Sequence, residues 1–286
     1  MISSLIAQTS AVEVIKARIS VRKYSERSID KQTRETIEMI ISRNNVGPFG
    51  NQSSYWLIET SDFADKPVKL GTYGFIRGAK HYLVGAVDNR RQYCLEDYAY
   101  CKQMKILELT GLGLGTCWIG GTFRRNEYAK TVTLSNHEII PTITPVGYAA
   151  DKNSTLDHLI KSIAGSRKRK SFEELFFETS FNTPLAFKEK DKLSYALEML
   201  RLAPSANNAQ PWRIIVDGNN IHFYLHRNKA FSALKSVDLQ RIDMGIAMCH
   251  LELALNELEM TGVWEIQKEP NTIGANPEYI CSFCLS

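Results

Sequence analysis

The feature that most limits what this chain can fold into is an internal echo. Asp97 to Trp118 and Asp243 to Trp264 match at one constant separation of 146 residues. Each stretch opens on an aspartate, runs through cysteine and leucine at helical spacing, and meets a Thr/Gly pair just before its tryptophan. A weaker echo precedes both. Glu38-Met39 ahead of Asn51, Gln52 and Trp56 parallels Glu198-Met199 ahead of Asn208, Gln210 and Trp212. A chain that repeats one helix-and-strand unit has two similar apolar faces to bury. The competing reading is coincidence between two amphipathic helices that each lead into a strand.

The local pattern fills in the units. Val12, Ile15 and Ile19 recur at helical spacing, and Ile37, Ile40 and Ile41 give a second amphipathic helix capped by Ser28 or Asp30. Tyr55 to Glu59 and His81 to Val87 are short, apolar and β-branched, as strands are. A helix over Tyr98 to Thr110 should stop at the Gly111 to Gly115 cluster. Ile139 to Gly147 is a strand interrupted by Pro141 and Pro145, which predicts an edge position. After Ser166-Arg-Lys-Arg-Lys170 the order restarts. A helix from about Lys190 to Leu202 leads to a hairpin of Arg213 to Val216 and Ile221 to His226 around Asp217-Gly-Asn-Asn. A long helix over Met244 to Met260 and strands near Trp264–Gln267 and Tyr279–Phe283 close the chain. The division expected is 1–170 and 171–286.

Composition excludes several classes. With 44% hydrophobic residues among 286, the chain can build sizeable cores. A formal charge of +4 is too small to imply nucleic acid without a concentrated basic face. No apolar run approaches the roughly 20 residues that span a bilayer. Residues 1–20 lack a basic n-region and Glu13 interrupts their apolar positions, so a cytoplasmic protein without a signal peptide is expected. Six scattered cysteines suit reduced thiols better than a disulfide framework. The histidines show no paired metal spacing, and Cys281-x-x-Cys284 has no second CxxC, so no metal is expected.

Four stretches carry chemistry. In Arg18-Ile-Ser-Val-Arg22, alternation sets Arg18, Ser20 and Arg22 on one side of an extended segment, where two guanidinium forks and a hydroxyl suit a phosphate. A solvated basic face is the plainer alternative. In the run Ser166 to Lys170, Arg167 and Arg169 share a side if extended and could close over the same phosphate; in isolation such a run is a solvated linker or a nucleic-acid patch. Ala203-Pro-Ser-Ala-Asn-Asn-Ala-Gln-Pro-Trp212 offers small and amide residues that can approach a flat heterocycle closely, although each residue alone suits a helix-to-strand loop. Gly111 to Gly121 is glycine-rich but follows a helix, so it is no dinucleotide fingerprint. Its Gly120-Gly121 pair frees backbone N–H groups for a ligand edge.

Together Arg18-x-Ser20-x-Arg22 with Tyr24, Gly113-Leu-Gly-Thr-Cys-Trp-Ile-Gly-Gly121, the Arg167/Arg169 pair and Pro204 to Trp212 resemble the FMN-dependent nitroreductase superfamily. The resemblance touches most of the chain. It implies that Arg18, Ser20, Arg22, Arg167 and Arg169 hold FMN at its phosphate and pyrimidine edge. Gly120 and Gly121 would meet the central ring, with Ser205, Ala206, Asn207 and Asn208 bordering the pocket. Thr72 and Tyr73 lie in a segment that could add a further flavin contact. The sequence departs from the pattern at Ile19, where the family often has a basic or polar residue, and more informatively in one loop. The family's Gln-Pro-Trp loop follows soon after the Arg-x-Ser-x-Arg segment, but here that position holds the degraded Val46 to Trp56, and the intact copy stands in the second half. This is similar to duplicated nitroreductase-like proteins in which one chain mimics the dimer.

The expected fold is therefore α+β, as two related halves, each a small mixed or antiparallel sheet flanked by helices, fused as a pseudo-dimer. The expected function is hydride transfer from NADH or NADPH through FMN to a nitroaromatic, quinone or similar flat acceptor. No side chain acts as catalyst, because the chemistry resides on the flavin. A monomer is expected, with a small-molecule acceptor as partner and neither nucleic acid nor membrane. Two alternatives stay open: a flavin-binding sensor or storage protein without turnover, and a nucleic-acid-binding protein using the basic run.

Overall fold

The computed structural model describes residues 10–62, 75–121, 123–150, 168–228, 237–268 and 277–286. Arg167, Thr72 and Tyr73, all singled out above, lie outside them. The chain divides into two units, one of Ala17–Arg167 and one of Ser10–Lys16 with Lys168–Ser286.

In the first unit, helix α2 (Lys31–Ser42) starts at Asp30, whose carboxylate accepts the Thr33 N–H, and buries Ile37, Ile40 and Ile41. Strands β1 (Ser53–Glu59) and β2 (His81–Asp88) follow. Then come helix α3 (Cys94–Gly111) and the two-residue β3 (Gly115–Thr116). The short α4 (Arg125–Ala129), β4 (Glu138–Ile139) and β5 (Ile143–Gly147) complete the unit. The sheet order is β1-β2-β5-β3, with β4 pairing the far end of β2, and every pairing is antiparallel. Helix α3 is buried almost all round, from Cys94 to Leu109, as a helix sheathed on every side must be. Lys105 Nζ donates to Arg43 O at 2.7 Å and Asn44 O at 3.2 Å, which satisfies carbonyls at the end of α2.

The second unit begins with α1 (Ala11–Ala17), all but its last residue. Val12 N–H and the Ser10 hydroxyl donate to the Glu257 carboxylate, and Lys16 Nζ donates to Tyr195 OH at 2.9 Å. After Lys168 come α5 (Phe172–Leu175), with a Ser171/Glu174 capping box, and β6 (Phe176–Glu178). Helix α6 (Lys192–Arg201) precedes the hairpin of β7 (Trp212–Asp217) and β8 (Asn220–Leu225). Gly218 takes a φ of +56° in its two-residue turn, which a side chain would resist. Helix α7 (Leu239–Glu257), β9 (Gly262–Glu265) and β10 (Glu278–Leu285) close the unit. The order is β6-β7-β8-β10-β9, with β6 parallel to β7 and the rest antiparallel.

Four strands thus repeat one order, β1-β2-β5-β3 in the first unit and β7-β8-β10-β9 in the second. In each, a helix precedes the first strand and a long buried helix follows the second. The α+β expectation holds. One expectation fails: the strand carrying Pro145 is interior, since β5 pairs β2 on one flank and β3 on the other. Proline is tolerated for a local reason. Ile143 exchanges both backbone hydrogen bonds with Ile119, each at 2.9 Å. Backbone groups alternate sides along a strand, so the Pro145 nitrogen, which has no hydrogen, faces that same flank. There it falls between the Ile119 bridge and β3, which reaches only Val146 and Gly147. Tyr24 OH fills part of the gap, sharing with Pro145 O at 3.2 Å the one proton that it gives to Val21 O at 2.8 Å.

Candidate functional site

Beyond α1 the chain runs extended beside β3. Ser20 forms a parallel bridge with Thr116, and Val21 N–H donates to Thr116 O at 2.8 Å. Gly115 permits this approach, since a Cβ there would lie 2.7 Å from a Val21 methyl. Arg22 O then accepts Arg77 N–H at 2.9 Å, and Tyr24 OH donates back to Val21 O at 2.8 Å, fixing the segment along its length.

This register brings Arg18, Ser20 and Arg22 together around the Cys117 thiol. Burial pushes that thiol up, while the two guanidinium groups and the Ser20 hydroxyl work against the rise. Burial also lowers the Arg18 guanidinium to about 10, with the Cys117 thiol opposing the change. Arg18 Nε is shut off from solvent and has no hydrogen-bond partner among the described residues. Arg22 is exposed. The cluster is a cationic cradle with one desolvated arm, a hydroxyl and a thiol, without a carboxylate paired to Arg18 among the described residues. Such an arm is costly when empty and is stabilised by an anion.

Cys117 leads through Trp118 and Ile119 to Gly120 and Gly121. Trp118 Nε1 donates to Gln103 Oε1 at 2.9 Å, and Lys102 Nζ stands 5.1 Å from the indole ring. Lys102 is fully buried, donating to Tyr98 OH, Thr142 O and Thr142 Oγ1 at 2.9–3.1 Å; burial holds its amine well below the usual lysine range. The Gly120 carbonyl accepts Arg125 Nη2 at 2.9 Å.

In the second unit the structure brings Arg169, Ser205, Ala206 and Asn208 together, but around one another. Arg169 donates to Leu202 O, Ala203 O and Asn208 Oδ1 at 2.8–3.0 Å, closing the carbonyl end of α6. Asn208 Nδ2 donates to Lys168 O at 2.9 Å, and buried Gln210 accepts Lys170 N–H at 2.9 Å. Ser205 Oγ accepts Gln210 N–H and Asp243 Oδ1 accepts Ala206 N–H, both at 2.9 Å. Asn207, Asn208 and Gln210 all take positive φ, held by these bonds. Asp97 repeats the device in the first unit. Its carboxylate accepts Phe49 N–H at 3.0 Å and Asn51 N–H at 2.8 Å.

Sequence reasoning missed Cys117 and Arg125 as site residues. Cys117 had a signal, since it adjoins Thr116 in the glycine-rich motif, whereas Arg125 had none. Among the described residues no group of three or more His, Cys, Asp or Glu side chains could hold a metal ion, and no helix is long and apolar enough to cross a membrane.

Residues 10–255 match a family model described as "Putative TM nitroreductase". A solved structure, described as a nitroreductase from Thermotoga maritima, is 21% identical and superposes over 97% of this chain and 93% of its own, with a TM-score of 0.58. A curated relative from Methanothermobacter thermautotrophicus, named "Putative NADH dehydrogenase/NAD(P)H nitroreductase", is 23% identical over 54% of this chain and 86% of its own. A nitroreductase structure with bound FMN from Bacteroides fragilis is 18% identical and covers 50% of this chain and 90% of its own, with a TM-score of 0.39.

Proposed function

The chain belongs to the nitroreductase family whose model spans residues 10–255, and from that membership we propose that it is an FMN-dependent oxidoreductase using NADH or NADPH to reduce a quinone, a nitroaromatic or a similar flat acceptor. The observation that carries this reading is the cradle of Arg18, Ser20, Arg22 and Cys117, whose buried Arg18 Nε has no protein partner among the described residues. A phosphate monoester supplies what the cradle lacks: a dianion with several acceptor oxygens. Arg18 and Arg22 neutralise it, Ser20 orients it, and the segment's pairing with β3 keeps all three in register. Gly120 and Gly121, without side chains, let the backbone approach a flat ring. Bound FMN supplies the hydride chemistry.

The same reading assigns Ser205 to Asn208 as a bordering loop and Arg167 as a further phosphate contact. Arg169 and Asn208 are engaged with each other, so their part is to hold that loop in shape. The repeated strand order supports a fused pair of related units, and the reading takes the chain as a monomer. It also supports one cofactor per chain. The arginine segment lies beside β3, whereas β9, its counterpart, has no such neighbour among the described residues and leaves Val263 55% exposed. If one exposed ring face serves both substrates in turn, kinetics are ping-pong. Parallel double-reciprocal lines with NAD(P)H and a quinone are expected, and intersecting lines would contradict the reading. A yellow protein that fails to oxidise NAD(P)H would instead favour a sensor.

A further inference from the structure

Arg125 opens the short helix α4, five positions beyond Gly120, and its side chain turns back onto the glycine pair. Nη2 donates to Gly120 O at 2.9 Å and Pro141 O at 3.3 Å, and Nε donates to Ile140 O at 3.2 Å. The Phe123 ring lies 4.7 Å from the guanidinium carbon. Three carbonyls and a ring hold this half-buried cation, and no carboxylate pairs with it among the described residues. A cation that meets only carbonyl oxygens polarises the peptides those oxygens belong to.

The Gly120 carbonyl and the Gly121 N–H share one peptide plane. In a trans peptide they point in opposite directions. With the oxygen drawn to Arg125, the Gly121 N–H is aimed away from Arg125. It makes no hydrogen bond among the described residues, and Gly121 is exposed. The result is a polarised donor, unengaged among the described residues, at a position that carries no side chain of its own. We propose that Arg125 is a positioning residue: it fixes and strengthens the Gly121 N–H as a donor to the flavin ring, and so sets how much more tightly reduced FMN is held than oxidised FMN. Two-electron reduction with uptake of one proton leaves the flavin ring system anionic, so a stronger donor to it favours the reduced form. The inference rests on the reading that the first unit binds FMN.

The test compares wild type, Arg125→Met and Arg125→Lys, each titrated with FMN and then poised against a reference dye of known potential. The Met variant should bind oxidised FMN within about threefold of wild type. Its ratio of reduced to oxidised affinity should fall about tenfold, which is about 30 mV for a two-electron couple. The Lys variant keeps the charge but offers a single nitrogen to the three carbonyls, so it should recover only about half of that shift and keep a lowered potential. An unchanged potential in the FMN-bound Met variant overturns the inference. So does a pattern in which both variants lose thermal stability and FMN together while the bound fraction keeps the wild-type potential. Should the Met variant fail to fold, the Lys variant decides alone: a lowered potential supports the inference and an unchanged one overturns it. Wild type that takes up no FMN defeats the underlying reading instead, and the titration shows that before any potential is measured.

Discussion

Replacing Arg18 with methionine should weaken FMN binding and strengthen the unliganded fold at the same time. The side chain is half-buried with Nε shut off from solvent and unpartnered among the described residues, and burial has already lowered its guanidinium to about 10. Methionine retains the length and apolar stem but removes the desolvated charge. Relief of a half-buried cation with no paired carboxylate among the described residues should stabilise the apoprotein by roughly 1–3 kcal/mol once local relaxation is allowed. Loss of one charge-assisted contact to phosphate costs about 1.5–3 kcal/mol, a ten- to hundredfold loss of affinity. Urea denaturation with and without FMN, together with a fluorescence titration, reads both terms. The pH dependence has a defined sign. An anion favours the charged form, so wild-type affinity should decline as pH climbs past about 10, where free Arg18 loses its proton. A variant that unfolds more easily than wild type yet binds FMN equally well would show that Arg18 is a structural residue and refute the cradle.

Asp97→Ala strips the acceptor from Phe49 N–H and Asn51 N–H, and should cost about 2–4 kcal/mol in denaturant unfolding; a loss below about 1 kcal/mol would contradict the loop-anchoring role. Gly115→Ala drives a methyl into Val21, so stability should fall by about 1–3 kcal/mol and FMN affinity with it; unchanged affinity would contradict the role given to this pairing. Lys102 has its amine held well below the ordinary value by burial. The unfolded chain therefore binds the extra proton between that lowered value and about 10.4, and stability should rise with pH across this window. Lys102→Met should flatten the rise, as denaturant midpoints at neutral and alkaline pH will show.

The parts of the fold legible in the sequence were those written in periodicity. The echo between Asp97–Trp118 and Asp243–Trp264 marked the two long buried helices and the short strands after them, because both elements need the same apolar spacing to be buried. Asp97 and Asp243 read as ordinary acidic residues in a first helical turn. That Asp97 holds the loop ahead of β1 and Asp243 the loop ahead of β7 depends on contacts spanning 37 to 48 residues, which no local pattern encodes. Pro145 misled for a related reason, since its tolerance depends on where β3 stops. Arg18, Ser20 and Arg22 were legible because alternation alone sets them on one side. Arg169 shared their chemistry but met the carbonyl end of α6, a partner 33 residues away. Arg125 was invisible, since its meaning lies in the peptide plane of Gly120.

The most direct measurement is the absorbance spectrum of the purified protein before and after anaerobic addition of NADH or NADPH, with released FMN counted against chain concentration. Flavin bands near one FMN per chain, bleached by a nicotinamide and restored by a quinone, are the predicted result. A colourless protein that takes up no added FMN would contradict the account.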